Sequence, residues 1–259
     1  MTDPTGRHPA DPHAEAPKPD DHPGRPTDVT PAHPLAEIPR PYTREAMNAM
    51  EQEIKDGILR MGSMVAERHT AAVIALEEHD EEAALAIITS DDRLNEELEG
   101  VSNLVAQTIV KEQPVARDLR FLMALDHVAY ELERMGDQAS SVAKQARKLA
   151  PRSPLPAQAR LTELGRMVVQ QVRDILTVVV EVDEARAREI AAKDDDIDDL
   201  YHAIFSEVLD LMRADPENVD GGARILFAAH YLERTGDRVT NIAEDIVFLA
   251  TGDVEDLNQ

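Results

Sequence analysis

The chain has 259 residues and a formal net charge of −24 at pH 7. A surface of that sign repels nucleic-acid phosphates and anionic lipid, so we expect no nucleic-acid partner and favour cations or a basic protein as ligands. No cysteine is present, which excludes disulfides, thiolate metal sites and thiol catalysis.

The first 42 residues differ in composition from the rest. They contain 11 of the 16 prolines and few long apolar side chains. Such a segment buries too little apolar surface to offset its chain entropy, so residues 1–42 are predicted to form a disordered, proline-rich tail. The tail lacks the apolar stretch of a secretory signal, and no later apolar run approaches the roughly 20 residues of a membrane-spanning helix. We therefore expect a cytoplasmic protein with no direct membrane insertion.

The rest of the chain has the periodicity of amphipathic helices. Apolar residues recur at intervals of three or four, as in the series Met47, Met50, Ile54, Ile58, Met61 and Val65. Six long helices are predicted, at about residues 43–78, 81–112, 115–149, 156–184, 186–213 and 219–251. The predicted fold is all-α, with two repeated antiparallel three-helix bundles at residues 43–150 and 156–252 on either side of a proline cluster.

The two predicted bundles also resemble each other in sequence. Residues 131–137 read ELERMGD and residues 231–237 read YLERTGD, so the phrase Glu-Arg-x-Gly-Asp recurs after 100 residues. The segments DDRLNEELEGV and DDDIDDLYHAI align on Leu94 and Ile197, which are 103 residues apart. The near-equal offsets indicate an internal repeat.

The repeated phrase places a glycine and two acids at the border of an apolar stripe. Glu233 and Asp237 lie one position beyond Leu232 and Gly236 on the last predicted helix. Acids four residues apart share one helix face and repel each other, and glycine costs a helix about 1 kcal/mol relative to alanine. A local conflict that occurs twice is typical of a functional site. We expect the glycine to allow close approach of a neighbouring helix.

Acid pairs on the second and fifth predicted helices complete two candidate metal sites. If neighbouring helices pack side by side, the sets that converge are Asp91, Asn95, Glu133 and Asp137, and Asp194, Asp198, Glu233 and Asp237. Oxygen ligands suit Mg²⁺, Ca²⁺, Mn²⁺ or iron, and zinc is less natural without His or Cys. The alternative is a packing motif with solvated acids, because a chain with 51 acidic residues contains about ten such pairs by chance. No nucleotide-binding or hydrolase motif occurs, so we expect a protein that is not an enzyme.

These features together resemble the PhoU family. The resemblance is carried by PVARDLRFLMALDHVAYELERMGDQASSVAK at residues 114–144 and LFAAHYLERTGDRVTNIAEDI at residues 226–246. It implies the two three-helix bundles, and clusters of iron or zinc on the acidic motifs named above. Asn95 departs from the acidic pattern and Lys144 adds a cation near Asp137, so we expect the second set to bind metal better than the first.

The resemblance also implies a role. Members of the family are negative regulators of the phosphate-starvation response. They act as cytoplasmic adaptors, often homodimeric, between a phosphate ABC transporter with its ATPase subunit and a sensor histidine kinase at the cytoplasmic membrane face. The alternative function is a carboxylate-rich metal-binding or storage bundle without a signalling role. Iron, zinc, manganese and magnesium are the candidate ions for both.

Overall fold

The computed structural model describes residues 43–90 and 92–258. Over these residues the chain forms eight α-helices and no strand, which confirms the predicted all-α fold. The helices are α1 (Arg44–Glu78), α2 (Glu81–Ile88), α3 (Asp92–Glu112), α4 (Arg117–Leu149), α5 (Gln158–Glu181), α6 (Glu184–Ala191), α7 (Asp194–Ala214) and α8 (Asn218–Thr251). The predicted tail at 1–42 and the predicted ligand Asp91 lie outside the described residues.

The same capped turn follows the first helix of each half. His79 ends α1 and Val182 ends α5, both in the left-handed region with φ of 55° and 54°. The next residues, Asp80 and Asp183, are N-caps whose carboxylates accept a backbone hydrogen bond in the first turn of α2 and α6, at 2.9 and 3.1 Å. An N-cap of this kind stabilises a helix start by about 1 kcal/mol. The duplication therefore preserves the turn chemistry as well as the acidic phrase.

The helices predicted at 81–112 and 186–213 are each broken into two, so the prediction of six long helices was wrong in this respect. At the first break, the hydroxyls of Thr89 and Ser90 donate to carbonyls in the last turn of α2 at 2.9–3.2 Å. Side-chain bonds of this type compete with continued helix. At the second break, α7 restarts with three acids in its first turn, where the helix dipole favours negative charge.

Each half is a three-helix bundle whose middle member is the broken one. In the first half α1 packs on α3 and α4, while α2 packs on α4; in the second half α5 packs on α7 and α8, while α6 packs on α8. The halves are joined by contacts of α4 with α8 and of α1 with α5. Three polar pairs cross from α4 to α8, namely His127 with Asp245, Glu131 with Arg238, and Gln138 with Thr235. Their order along the chain makes α4 and α8 antiparallel.

The glycine of each repeated phrase lies at a close helix contact, as the sequence suggested. A Cβ atom on Gly136 would overlap the side chain of Leu94 on α3. A Cβ atom on Gly236 would lie 2.5 Å from Oδ1 of Asp194 on α7. The first half therefore uses its glycine to seat an apolar side chain, and the second half uses it to seat a carboxylate.

Replacing Gly136 by alanine is expected to lower the free energy of unfolding by about 2 kcal/mol, because Leu94 must leave a fully packed position. Gly100 provides the matched control, since it lies within α3 and a Cβ there meets nothing within 4 Å. We expect Gly100→Ala to stabilise the protein by about 0.5–1 kcal/mol through helix propensity. Urea denaturation of both variants measures the two effects, and a stabilised Gly136→Ala protein would show that the contact with Leu94 is unimportant.

Candidate functional site

The start of α7 and the middle of α8 bring four carboxylates together in the second half. This second acidic cluster consists of the predicted residues Asp194, Asp198, Glu233 and Asp237. Asp194 is the first residue of α7 and only 6% exposed, because the helix break places it against Gly236. The other three lie half-buried at the border of the apolar stripe, as the sequence analysis placed Glu233 and Asp237.

Burial and the neighbouring carboxylates raise the pKa of three groups in the second acidic cluster, Glu233, Asp194 and Asp237. Burial raises the pKa of Glu233 to about 7, and the charges of Asp237, Asp198 and Asp194 add to the effect of burial. Burial likewise raises the pKa of Asp194 to about 6; a hydrogen bond from Gln171 opposes this shift and the charges of Asp237 and Asp198 increase it. The pKa of Asp237 is also raised, first by burial and then by Asp198. The cluster therefore has less positive charge around it than four ionised acids require.

Side chains from α5 and α8 form the inner wall of this cluster around Asp194. Gln171 on α5 is 2% exposed, and its Nε2 donates to the carbonyl of Ile190 at 3.4 Å and to Oδ1 of Asp194 at 3.5 Å. The buried hydroxyl of Thr240 also lies near Asp194. The buried Oε1 of Gln171 has no hydrogen-bond donor among the described residues, whereas Oε2 of Glu233 lies 3.3 Å from Nδ1 of His230. A buried acceptor without a donor favours a cation at this position.

The corresponding region of the first half is neutralised by arginine. This first acidic cluster, as far as the structure describes it, consists of Asn95, Glu133 and Asp137. Arg134 makes ion pairs with Oε2 of Glu133 at 2.9 Å and with Oδ2 of Asp137 at 3.2 Å, and its guanidinium lies 5.1 Å from the centre of the Tyr130 ring. Asn95 is exposed on α3. Arg134 therefore pairs with both acids of the first phrase, whereas its counterpart Arg234 is exposed and has no ion pair within the described residues.

Besides Arg134, the first half has a second cation, Arg68, which no sequence motif marks. Its Nη2 donates to the hydroxyl of Ser140 at 2.7 Å and approaches the carbonyl of Ile87 at 3.5 Å. Arg68 and Gln171 are 103 residues apart, the same offset that relates Leu94 to Ile197. That offset, applied to α1 and α5, is the sequence signal that identifies them as equivalent positions.

The ligand set of the second acidic cluster fits a hard cation, because its four carboxylates and the amide of Gln171 offer oxygen. His230 lies at its edge, with Nδ1 3.3 Å from Oε2 of Glu233. The side chains of the cluster do not form a coordination shell in the structure. Within residues 43–90 and 92–258, no group of three or more His, Asp and Glu residues has metal-binding geometry. The cluster is thus a set of converging acids with uncompensated charge. Its assignment as a metal site stays a prediction.

A separate ionic network lies at the interface of α4 and α8. Oε2 of Glu131, which is 3% exposed, accepts from Nη1 of Arg238 at 2.7 Å. His127 is bonded through Nδ1 to Oδ2 of Asp245 at 2.7 Å, and this hydrogen bond raises the pKa of His127. His127 therefore has a hydrogen-bond partner in the other half of the chain.

The fold and its two acidic clusters define a class of helical protein built from a duplicated three-helix unit, each unit with an acid pair beside a glycine. A family model described as PhoU domain matches the chain twice, at residues 58–146 and 161–246. The protein belongs to the PhoU family. Within the residues that the structure describes, no helix is both long enough and apolar enough to cross a membrane.

Several named relatives are similar over most of the chain. A phosphate-specific transport system accessory protein PhoU homolog from Clostridium acetobutylicum is 36% identical over 217 residues, which cover 83% of this chain and 99% of that protein. A protein of the same name from Xylella fastidiosa is 36% identical over 196 residues, covering 76% of this chain and 83% of that one.

Solved structures give the same result for the fold. The crystal structure of PhoU from Pseudomonas aeruginosa superposes with a TM-score of 0.77 at 29% identity, covering 80% of this chain and 99% of that one. The phosphate transport system regulatory protein PhoU from Streptococcus pneumoniae gives a TM-score of 0.76 at 30% identity, covering 81% and 99%. The described helices therefore follow the architecture of the family in full.

Proposed function

We propose that the protein is an accessory protein of a phosphate transport system and a negative regulator of the phosphate-starvation response. The observation that carries this proposal is the similarity to proteins named phosphate-specific transport system accessory protein, which extends over 99% of the Clostridium acetobutylicum relative. Its partners would be the ATPase subunit of a phosphate ABC transporter and a sensor histidine kinase, met at the cytoplasmic face of the membrane. The active form would be a homodimer.

Regulation of this kind works by differential docking. An adaptor inhibits a kinase only by binding the inactive state more tightly than the active state. The net charge of −24 favours a partner surface that carries Lys and Arg. The affinity for the kinase would change when the transporter binds the adaptor, and the two equilibria are then coupled reciprocally.

The test of this proposal uses the chain as bait in its native host grown with ample phosphate. We expect the transporter ATPase subunit and the kinase to co-purify, and deletion of the chain to switch on phosphate-starvation genes although phosphate is present. Recovery of neither partner, together with unchanged gene expression in the deletion strain, would contradict the regulatory role.

We also propose that the second acidic cluster binds a cation, with Asp194, Asp198, Glu233 and Asp237 as its oxygen ligands. A bound iron, manganese, zinc or magnesium ion would supply the positive charge that the cluster lacks. The buried Oε1 of Gln171, which has no donor among the described residues, supports the proposal. If the protein binds metal but recovers neither partner protein, the second candidate function, a metal-binding or storage bundle, would be favoured.

The double substitution Asp194→Asn/Asp198→Asn is expected to abolish metal uptake, because it removes two charged ligands from the cluster. Asp195→Asn/Asp199→Asn is the matched control, since those acids are exposed on the same helix and have the same spacing. Elemental analysis of untagged protein should find the metal in wild type and control only. Equal metal content in all three proteins would place the ion elsewhere, and its absence from all three would mean that the cluster does not hold a metal.

A further inference from the structure

The position shared by Arg68 and Gln171 differs in charge between two otherwise equivalent environments. Arg68 contacts the Ile87 carbonyl and Ser140, whereas Gln171 contacts the Ile190 carbonyl and lies beside Asp194, near Thr240. Ile87 and Ile190 are again 103 residues apart, and Ser140 and Thr240 are 100 apart. The neighbouring carbonyl and hydroxyl residues are thus repeated, and the side chain itself is not.

Both side chains reach the same point beneath the repeated glycine. Nη1 of Arg68 lies 3.6 Å from the position that a Cβ would take on Gly136. Oε1 of Gln171 lies 3.4 Å from the corresponding position on Gly236. In the first half a guanidinium nitrogen occupies this point, and in the second half an uncharged amide oxygen occupies it.

We infer that Arg68 is the built-in cation of the first acidic cluster, and that Gln171 leaves the second cluster to take its cation from solution. This inference rests on the proposed cation site and names the residue that directs the ion to one half of the chain. Gln171 is only 2% exposed. Its Oε1 faces the cluster and has no donor among the described residues. An amide oxygen in that state is a ligand for a hard cation, whereas a guanidinium offers only donors.

The charges around the first cluster support the same division. Arg134 already pairs with Glu133 and Asp137, and Arg68 adds a second guanidinium on the inner side. A divalent ion would have to displace or approach two fixed positive charges there. In the second cluster Arg238 is occupied by Glu131 at 2.7 Å, so it is turned to the interface with α4. The second half therefore keeps its acids available.

The substitution that tests this inference is Gln171→Arg, which places the residue found at position 68 at the equivalent position of the second half. Gln170→Arg is the matched control, because it adds the same charge on the adjacent, exposed residue of α5. Gln171→Lys is a second test variant that places a cation at the same point on a more flexible stem. Each protein is stripped with EDTA and titrated with Mn²⁺, and bound metal and the midpoint of thermal unfolding are measured.

We expect wild type and Gln170→Arg to bind about one Mn²⁺ per chain and to show a higher unfolding midpoint with the metal present. Gln171→Arg and Gln171→Lys should bind none, and their midpoint should be the same with and without Mn²⁺, because a like charge occupies the site. A variant that melts cooperatively in EDTA is folded, so loss of uptake in that variant is not loss of structure.

The outcomes separate this inference from the proposed cation site. Uptake of about one Mn²⁺ by wild type and equally by both Gln171 variants would leave the site in place and overturn the role of position 171. Uptake of Mn²⁺ that persists in Asp194→Asn/Asp198→Asn would also overturn the inference, because the first cluster would then accept a metal beside Arg68. No uptake by wild type would remove the cation site itself, and the inference with it.

Discussion

The metal-free protein is expected to lose about 3 kcal/mol of its free energy of unfolding as the pH rises from about 4 to about 8. Folding raises the pKa of Glu233 from 4.5 to about 7 and that of Asp194 from 3.8 to about 6. Between the unfolded and folded values the folded chain binds more protons than the unfolded chain, so stability falls with rising pH. Below the unfolded values this loss is absent, and above about pH 8 it is complete. The expected total is about half the sum of both shifts, because the two groups share one cluster and solvent screens the charge of Glu233.

Denaturation in urea with EDTA at several pH values measures this slope. Glu233→Gln combined with Asp194→Asn should flatten the profile, since both groups then stay neutral at every pH. Asp195→Asn/Asp199→Asn should keep the slope of wild type, although it removes the same number of charges. A slope that is equal in all three proteins would mean that the general negative charge of the chain causes it, and not the second acidic cluster.

The second large effect on stability is expected from removing Arg238, the cation at the interface between the two halves. We expect Arg238→Met to cost about 3 kcal/mol, because it leaves Glu131 buried with a charge that is no longer paired. Glu131 is 5% exposed and Arg238 17% exposed in their side chains, and the two are joined at 2.7 Å. The ring of His127, with Nε2 at 3.5 Å from Oε1 of Glu131, is too distant to replace the lost hydrogen bonds.

The control for this prediction is an exposed pair of the same chemistry. Arg213 and Asp210 are joined at 2.9 Å, but their side chains are 72% and 76% exposed. Arg213→Met should therefore change stability by no more than about 0.5 kcal/mol. Chemical denaturation compares the two variants directly. Similar small losses in both would show that the network between α4 and α8 contributes little to the folded state.

The sequence predicted the long helices because their apolar residues follow the helical period over many turns. The buried series in α1 and the stripe through Gly236 in α8 lie where the period placed them. The breaks before α3 and before α7 were missed. Their causes are local hydrogen bonds of Thr89 and Ser90 in one case and the burial of Asp194 against Gly236 in the other. The burial of Asp194 is a tertiary contact, which periodicity does not report.

The acids of the second cluster were predicted because they recur with a fixed spacing. Gln171 and Arg68 were not, because a buried glutamine and a half-buried arginine on separate helices have no local signature. The pairing of Glu131 with Arg238 was also beyond the sequence, since one acid in a chain with 51 acidic residues resembles a solvated residue. Only the contact of α4 with α8 reveals that Glu131 is buried.

The antiparallel pairing of α4 with α8 has a consequence for the recognition of one half by the other. Two copies of the first half that paired in the same register would bring Glu131 opposite Gln138, which lies 100 residues before Arg238. Two copies of the second half would bring Arg238 opposite Tyr231, which lies 100 residues after Glu131. Among these three pairings, only that of α4 with α8 places Glu131 opposite Arg238. The two duplicated units have therefore diverged so that each pairs better with the other than with a second copy of itself.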